Sequence, residues 1–543
     1  IAGSDLNISS IKIRSCSMIN TSATRLVASA LAIGMALSFT PADARTHQPT
    51  AAQILAQTQK MLADQRAEFD RRDAERQAQI NALQTQVTDL SGQLAAVKAQ
   101  AAIPAPPPPP PTAAQVAAVL PKPDTTVAMK KGTATIASAD ADYSIAFHGI
   151  FQLDSASYDQ SKTLPAAVTT RDLNSGVNFR RARIGMNGKI ARDFDYNILL
   201  DFGGAGAEDV GRFHEAWIQY SGFKSAKIRF GEFAPNVGLA DAGSTNGSPF
   251  LERPASAEVA RNVAGGDTRM GLSVFNASDR WLWSVALTGN TVSQLNTQAT
   301  SFTAPNTDEQ LGMTARLAGT PFRGFDWLVH AGVNYSAVIN PGDAGAAAAV
   351  RYPVQLRDRP ELRVDGTRLI DTGALNAQSA AATGVELGWQ YKGIYAAAEA
   401  FDYGIKRLDP AVGVTNPSFS GWYIEGGWSL TGEARKYNTA TAAFDGVVPR
   451  VNFDPVNGHW GAFELVGRWS TFDLNYHADS ATAADRVRGG KQDIGTLGID
   501  WQLNPDVRFV FEGQSVKIER LNAAGAEMGQ KYNAYAVRSQ FSF

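Results

Sequence analysis

The strongest constraint on this chain is an alternation of apolar and polar side chains that recurs through residues 142–543. In the stretch TLGIDWQL, for example, Ile499 and Trp501 alternate with Asp500 and Gln502. A period of two residues predicts β-strands, because successive side chains of a strand point to opposite faces. Such strands build either a soluble β-sandwich or an outer-membrane β-barrel, since both have one apolar and one wet face.

The polar rows favour the barrel, because they carry charged and amide side chains in strand after strand. Aromatic residues near the strand ends are typical of the girdles at the two membrane interfaces. The chain closes with Phe541 and Phe543 on one face and Arg538 on the other, and a terminal Phe543 resembles the signal read by the outer-membrane assembly machinery. At about 25 residues per strand and its loop, this region predicts an all-β, antiparallel transmembrane barrel of about 16 strands around an aqueous channel.

The composition excludes several other classes of protein. No run of 18 or more apolar residues is present, which excludes a polytopic helical membrane protein. Lys and Arg number 50 against 52 Asp and Glu, and this balance argues against a nucleic-acid partner. The one cysteine, Cys16, excludes a disulfide scaffold and a cysteine metal site.

The N-terminus has the features of an export signal. Residues 1–17 precede Met18 and are interpreted as upstream, non-native sequence. Residues 18–44 combine Arg25, an apolar run to Phe39 and an Ala-Asp-Ala cleavage site, as in a secretory signal peptide. The alternative is a buried N-terminal helix. A signal peptide before a barrel predicts the outer membrane of a Gram-negative bacterium.

Residues 50–100 are proline-free and predict an α-helical coiled coil. Apolar residues follow the 3-4 spacing of a heptad at Ile80, Leu83, Val87, Leu90, Leu94 and Val97. Such a seam needs partner helices, so we expect a periplasmic trimer, although a lone surface helix is the alternative. Residues 101–141 predict a proline-rich, disordered linker, in which Pro106–Pro111 forms a stiff polyproline II spacer.

Motifs of catalysis are missing from the sequence. His214 and Glu215 are followed by Ala-Trp-Ile, so the zinc-peptidase pattern is absent. The six histidines do not cluster along the chain, and no G-x-S-x-G nucleophile motif occurs. We therefore expect no enzyme activity, no catalytic residue, no metal and no cofactor.

Several segments, taken in order, resemble a known family, the phosphate-selective porins O and P. They are residues 178–202 (with the FRRA motif), 211–223, 227–233, 237–253, 428–437, 461–470 and 496–509. The resemblance covers essentially all of residues 142–543. It implies a homotrimer of 16-stranded barrels, each with a pore narrowed by an inward-folded loop 3 near residues 234–267.

The resemblance also implies which residues line the pore. The FRRA arginines, Arg180 and Arg181, and the LER arginine, Arg253, match the anion path of phosphate-selective members. Guanidinium groups suit this role because they stay charged and bind oxyanions bidentately. Asp241 stands where selective members have a lysine, and His214 stands where they have an acidic residue.

Other basic residues are further candidates. The possible additional lining residues are Arg183, Lys227, Arg229, Arg261 and Arg269. Five arginines between 351 and 368 crowd one loop, where they collect anions, pair with nearby carboxylates, contact lipopolysaccharide phosphates or are simply solvated.

We therefore predict an outer-membrane porin for passive diffusion of small hydrophilic solutes, with anions such as phosphate favoured. The replacement at Asp241 leaves a general or weakly selective porin as an alternative. A structural tether to peptidoglycan and a surface adhesin are alternatives from other classes. The expected partners are two further copies of the chain, outer-membrane lipid and lipopolysaccharide, the assembly machinery that reads Phe543, and peptidoglycan.

Overall fold

The computed structural model describes parts of residues 63–93 and then residues 124–130, 133–160, 172–204, 211–263, 265–291 and 308–543. The predicted signal peptide, the proline run and the first part of the coiled-coil segment lie outside the described residues. The helices among these residues are all too short or too polar to span a lipid bilayer.

The N-terminal unit, residues 1–119, contains a helix over residues 77–89. This helix lies within the predicted coiled-coil segment. Ile80, Leu83 and Val87 of its heptad row are exposed in the single chain, and apolar residues with this spacing form the seam between the helices of a coiled coil. The coiled coil itself stays a prediction.

The second unit, residues 120–543, is dominated by a closed antiparallel barrel of 16 strands, as the alternation predicted. The strands, β1 to β16 in chain order, are Ser144–Gln160, Gly176–Ile190, Phe194–Asp201, Arg212–Tyr220, Lys227–Phe233, Arg269–Ala277, Trp281–Thr288, Leu311–Arg323, Trp327–Asn340, Leu375–Tyr391, Ile394–Arg407, Ser418–Ser429, Ala462–Tyr476, Val487–Gln502, Val507–Glu519 and Gln530–Ser542. Each strand pairs with the next, and β16 pairs with β1 from Tyr532↔Gln160 to Ser542↔Ile150. This last pairing closes the cylinder and leaves no open edge.

The two faces of the barrel strands are those that the alternation predicted. Leu497 is 71% exposed and Ile499 is 43% exposed on the outside. Asp500 and Arg538 are 0% exposed on the inside. The apolar rows therefore face outward, toward lipid, and the charged rows face the interior.

Exposed aromatic side chains flank the short turns at one end of the barrel. Trp281, Trp327 and Tyr391 all lie next to such turns, and each is 42–44% exposed. An aromatic girdle at the membrane interface has this arrangement, and short turns mark the periplasmic end of outer-membrane barrels.

A β-hairpin precedes the barrel, in the stretch for which the sequence predicted a disordered linker. Its strands are Thr125–Lys130 and Thr133–Ser138, and the second pairs with the start of β1 from Thr135↔Ala146 to Ala137↔Ser144. The small, polar residues of this stretch include β-branched residues that favour strands, and pairing with the start of β1 extends the sheet.

Three segments fold into the barrel: loop 3 (residues 234–268), loop 5 (residues 341–374) and a long connection at the short-turn end, the inserted turn (residues 430–461). Their shorter elements are the helices Leu239–Ala242 (α1) and Ala255–Asn262 (α2), the strand Pro353–Val354, the ribbons Arg357–Asp358 with Ile370–Asp371 and Tyr437–Asn438 with Ala443–Phe444, and the 3-10 turn Pro455–Asn457. Leu251, Leu369 and Ala443 from the three segments are at most 2% exposed. The segments therefore fill much of the space that a barrel of this width would leave open.

Candidate functional site

A cavity lies inside the barrel, where loop 3 meets the inserted turn, and we call it the loop 3 cavity. Residues of loop 3, the inserted turn and the barrel wall line it together. Its charged lining consists of five arginines and two glutamates, namely Arg181, Arg253, Arg435, Arg468, Arg538, Glu252 and Glu425. Two of the sequence-predicted residues, Arg181 and Arg253, thus meet in one site.

Glu252 of loop 3 is the common partner of four arginines. Arg180 donates from Nε to Glu252 Oε1 at 2.6 Å and from Nη2 to Oε2 at 3.0 Å. Arg538 Nη2 donates to Oε1 at 3.0 Å, and nitrogens of Arg363 and Arg181 lie 3.5 and 3.8 Å from Oε2. This carboxylate is only 5% exposed. The four arginines therefore surround a buried anion rather than open water.

The other arginines of the wall also have carboxylate partners. Arg538 pairs with Asp154 at 2.6 Å, Arg435 Nε donates to Glu464 at 2.8 Å, and Arg468 pairs with Glu361 of loop 5. All of these charges are nearly fully buried. Fixed pairs of this kind hold the wall in one geometry and largely cancel its charge.

Arg253 differs from the other arginines of the cavity. Its Nε donates to the carbonyl oxygen of Ala240 at 2.9 Å, and its Nη2 donates to that of Asp241 at 3.2 Å. Among the residues that the structure describes, no carboxylate oxygen lies within 4.0 Å of its nitrogens. Arg253 therefore brings a positive charge to the cavity that no neighbouring anion cancels directly.

Asp241 does not line the loop 3 cavity. Its carboxylate lies 2.9 Å from Arg261 Nε, and it accepts a hydrogen bond from the backbone N–H of Val237 at 3.1 Å. Arg261 also pairs with Glu258 at 3.0 Å and with Asp267 at 3.1 Å. These ion pairs fasten α1 to α2 within loop 3.

The remaining sequence candidates lie elsewhere in the interior. Arg183 Nε donates to Asp201 at 2.8 Å, and His214 is buried on the strand after the one that carries Asp201. A second polar cluster of the wall is centred on that carboxylate. It does not line the loop 3 cavity.

Arg229, Lys227 and Arg269 are also outside the cavity lining. Arg229 stacks over the ring of Trp217, with its Cζ 4.1 Å from the ring centroid. Lys227 lies opposite Phe275 in the strand pairing, and Arg269 donates from Nε to the carbonyl oxygen of Gly266 at 2.9 Å.

A carboxylate of the barrel wall holds α1 in place. Glu399 on β11 accepts from the backbone N–H of Leu239 at 2.7 Å and from that of Ala240 at 2.9 Å, and the Tyr423 hydroxyl donates to it at 2.8 Å. The first N–H groups of a helix have no partner within the helix. Glu399 accepts hydrogen bonds from two of them. It thereby fixes the part of loop 3 whose carbonyl oxygens, those of Ala240 and Asp241, accept hydrogen bonds from Arg253.

Loop 3 and the inserted turn touch through two glycines. A Cβ atom at Gly247 would lie 2.2 Å from the backbone nitrogen of Gly446, so glycine at 247 permits this approach. Arg435 bridges the same place, since its Nη1 donates to the carbonyl oxygens of Gly247 and Asp445, both at 3.1 Å. The two segments therefore form one partition across the interior.

Sequence reasoning missed Glu252, Arg435 and Arg468 as site residues. Arg435 lies in a connection that has no period, so its entry into the barrel left no signal in the sequence. The alternation places Arg468 and Arg538 on polar faces, but it does not say which part of the interior the loops reach.

The loop 5 arginines have different surroundings. Arg363 reaches Glu252 and Glu258 deep in the barrel, whereas Arg351 pairs with Asp343 at 2.7 Å and stays half-exposed. Both of these arginines are therefore paired with carboxylates. Among the described residues, no group of three or more His, Cys, Asp or Glu side chains is placed to hold a metal ion.

Comparison with known proteins gives three kinds of match. The family model described as phosphate-selective porin O and P matches residues 151–543. Porin O of Pseudomonas aeruginosa is 26% identical over 433 residues, which are 76% of this chain and 91% of that protein. An uncharacterised protein of Caulobacter vibrioides is 26% identical over 413 residues, which are 73% of this chain and 76% of that protein.

Among solved structures, an anion-selective porin from Comamonas acidovorans matches with a TM-score of 0.42 and 11% identity over 74% of this chain and 100% of its own. The outer membrane channel DcaP of Acinetobacter baumannii matches with a TM-score of 0.42 and 12% identity over 75% and 99%. The family match spans nearly the whole barrel, from within β1 to the last residue. This chain therefore belongs to the phosphate-selective porin O and P family, and it is an outer-membrane porin.

Proposed function

We propose that the chain forms a passive diffusion pore that prefers small anions, phosphate among them, and that the loop 3 cavity lies on their path. The observation that carries the proposal is Arg253, whose guanidinium binds carbonyl oxygens and has no carboxylate partner within the described ranges of the chain. A fixed positive charge in a narrow, low-dielectric wall attracts anions and repels cations. Membership of the family supports the same preference.

The test is planar-bilayer recording of the purified full-length protein under a KCl gradient. We expect the reversal potential to show anion selectivity, and added phosphate to reduce the chloride current. Arg253→Ala should lower the anion-to-cation permeability ratio. Lys224→Ala is the matched control, because Lys224 is an exposed cation in a turn at the barrel end. A cation-selective wild-type pore would overturn the proposal.

We also propose that three copies assemble, with the coiled coil and the proline run on the periplasmic side. The heptad row with its exposed Ile80, Leu83 and Val87 supports partner helices. Light scattering of the detergent-solubilised protein should give three chains per particle, and a monomer would refute this part.

The same N-terminal segment favours a second role, as a tether between the outer membrane and peptidoglycan. Deletion of residues 45–119 separates the two functions. Loss of envelope integrity with unchanged conductance would indicate a tether, whereas unchanged integrity would refute it.

A further inference from the structure

The loop 3 cavity has an apolar wall beside its charged one. Leu239 of loop 3, Tyr395 and Ala397 of β11 and Phe444 of the inserted turn all line the cavity and belong to one hydrophobic cluster. The Phe444 ring lies 5.8 Å from the Tyr395 ring, centroid to centroid. An inorganic oxyanion gains nothing from such a surface, because all of its oxygens need hydrogen-bond donors.

The charge of the cavity suits one acidic group. Arg181 shares Glu252, Arg435 and Arg538 each pair with a carboxylate of the wall, and Arg468 lies within 4 Å of two carboxylates, Glu361 and Glu425. The guanidinium of Arg253 alone, among these five, is bonded to carbonyl oxygens instead. A ligand with a single carboxylate matches this uncancelled charge.

Hydrogen-bond donors of the lining remain unused. Tyr395 is 3% exposed, and its hydroxyl is buried with no hydrogen-bond partner among the residues that the structure describes. The Nε atoms of Arg181 and Arg468 are also buried, and neither has a hydrogen-bond partner in the described part of the chain. Buried polar groups are nearly always hydrogen-bonded, so an empty donor in a cavity wall indicates a place for an acceptor atom of a ligand.

From these observations we propose that the loop 3 cavity selects organic anions with one carboxylate and a small apolar body over inorganic phosphate. The carboxylate lies toward Arg253 and the apolar body lies toward Phe444 and Leu239. The inference rests on the proposed anion pore and adds its substrate class.

The experiment compares block of the KCl current by benzoate, acetate and phosphate at one pH, with the full-length protein in planar bilayers. We expect benzoate to reach half-block at about tenfold lower concentration than either acetate or phosphate. Phe444→Ala should raise the half-blocking concentration of benzoate toward that of acetate and leave that of phosphate unchanged. Lys224→Ala, outside the cavity, should change neither.

A second variant covers the case in which Phe444→Ala does not fold, as judged by loss of the heat-modifiable band on gels. Tyr395→Phe removes only the unused hydroxyl, and it should weaken benzoate block at least threefold while the folded band persists. Equal or stronger block by phosphate would overturn the inference. So would variants that lower stability without changing the benzoate-to-phosphate ratio, because the apolar cluster would then only anchor the inserted turn.

The two proposals fail in different ways. A wild-type pore without anion selectivity in KCl refutes the proposed function before any organic anion is added. An anion-selective pore that does not distinguish benzoate from phosphate leaves the function standing and refutes only the substrate class.

Discussion

Replacing Glu252 with glutamine should make the pore more anion-selective. The amide keeps the shape of the side chain but removes the negative charge that four arginines share, of which Arg180 and Arg538 are the nearest at 2.6 and 3.0 Å. An anion that touches one of these guanidinium groups would lie about 6 Å from the carboxylate. Even at the dielectric constant of bulk water, about 80, which gives the weakest interaction, a unit charge at that distance is worth about 0.7 kcal/mol.

The same charge acts on anions and cations with opposite sign, so the two effects add to about 1.4 kcal/mol, or a tenfold change in the permeability ratio. Reversal potentials in a KCl gradient measure this ratio. Glu519→Gln is the control, since Glu519 is a half-exposed carboxylate at the end of β15, paired with Lys517. An unchanged or lower anion-to-cation permeability ratio in Glu252→Gln would refute the view that the Glu252 carboxylate offsets part of the positive charge of the cavity.

Three further changes test how loop 3 is held. Glu399→Gln leaves one amide oxygen for two backbone N–H groups, so a buried donor loses its partner at about 1–3 kcal/mol, and the folded band on gels should disappear at lower temperature. Gly247→Ala should lower that temperature more than Gly446→Ala, because its Cβ would meet backbone at 2.2 Å rather than 2.9 Å; the reverse order would contradict the glycine contact. Asp241→Lys places a cation beside Arg261 and should destabilise loop 3 by about 3–5 kcal/mol, so the folded band should disappear at lower temperature than in Asp241→Asn, which adds no cation; equal temperatures would contradict the ion pair between Asp241 and Arg261.

The barrel was predictable from the sequence because a strand has a fixed period. Once Ile499 and Trp501 are placed outside, Asp500 must lie inside, and this holds whatever the loops do. The alternation along the last strand, β16, predicted for the same reason that Arg538 faces the interior. The family motifs then led to Arg181 and Arg253, which the structure brings together in one cavity.

The ion pairing of the site was not predictable in the same way. Glu252 and Arg363 are far apart in the chain and meet because loops 3 and 5 both enter the barrel. The side chains of a loop follow no fixed period, so the sequence does not predict the path of a loop through the barrel. Asp241 shows the consequence: its position in the motif suggested a pore-lining charge, but Arg261 on the neighbouring helix takes up that charge.

The seam between β16 and β1 has a consequence for biogenesis. It joins side chains as distant as Gln152 and Gln540, which are 388 positions apart and share a hydrogen bond of 2.7 Å. Synthesis must be nearly finished before β1 can pair with β16. Until then, the edge of β1 that faces β16 has unpaired backbone N–H and C=O groups. A chain truncated before residue 530 would form an open sheet with two unpaired edges instead of a smaller closed channel. Such a product would have to be bound by periplasmic chaperones or degraded in the periplasm.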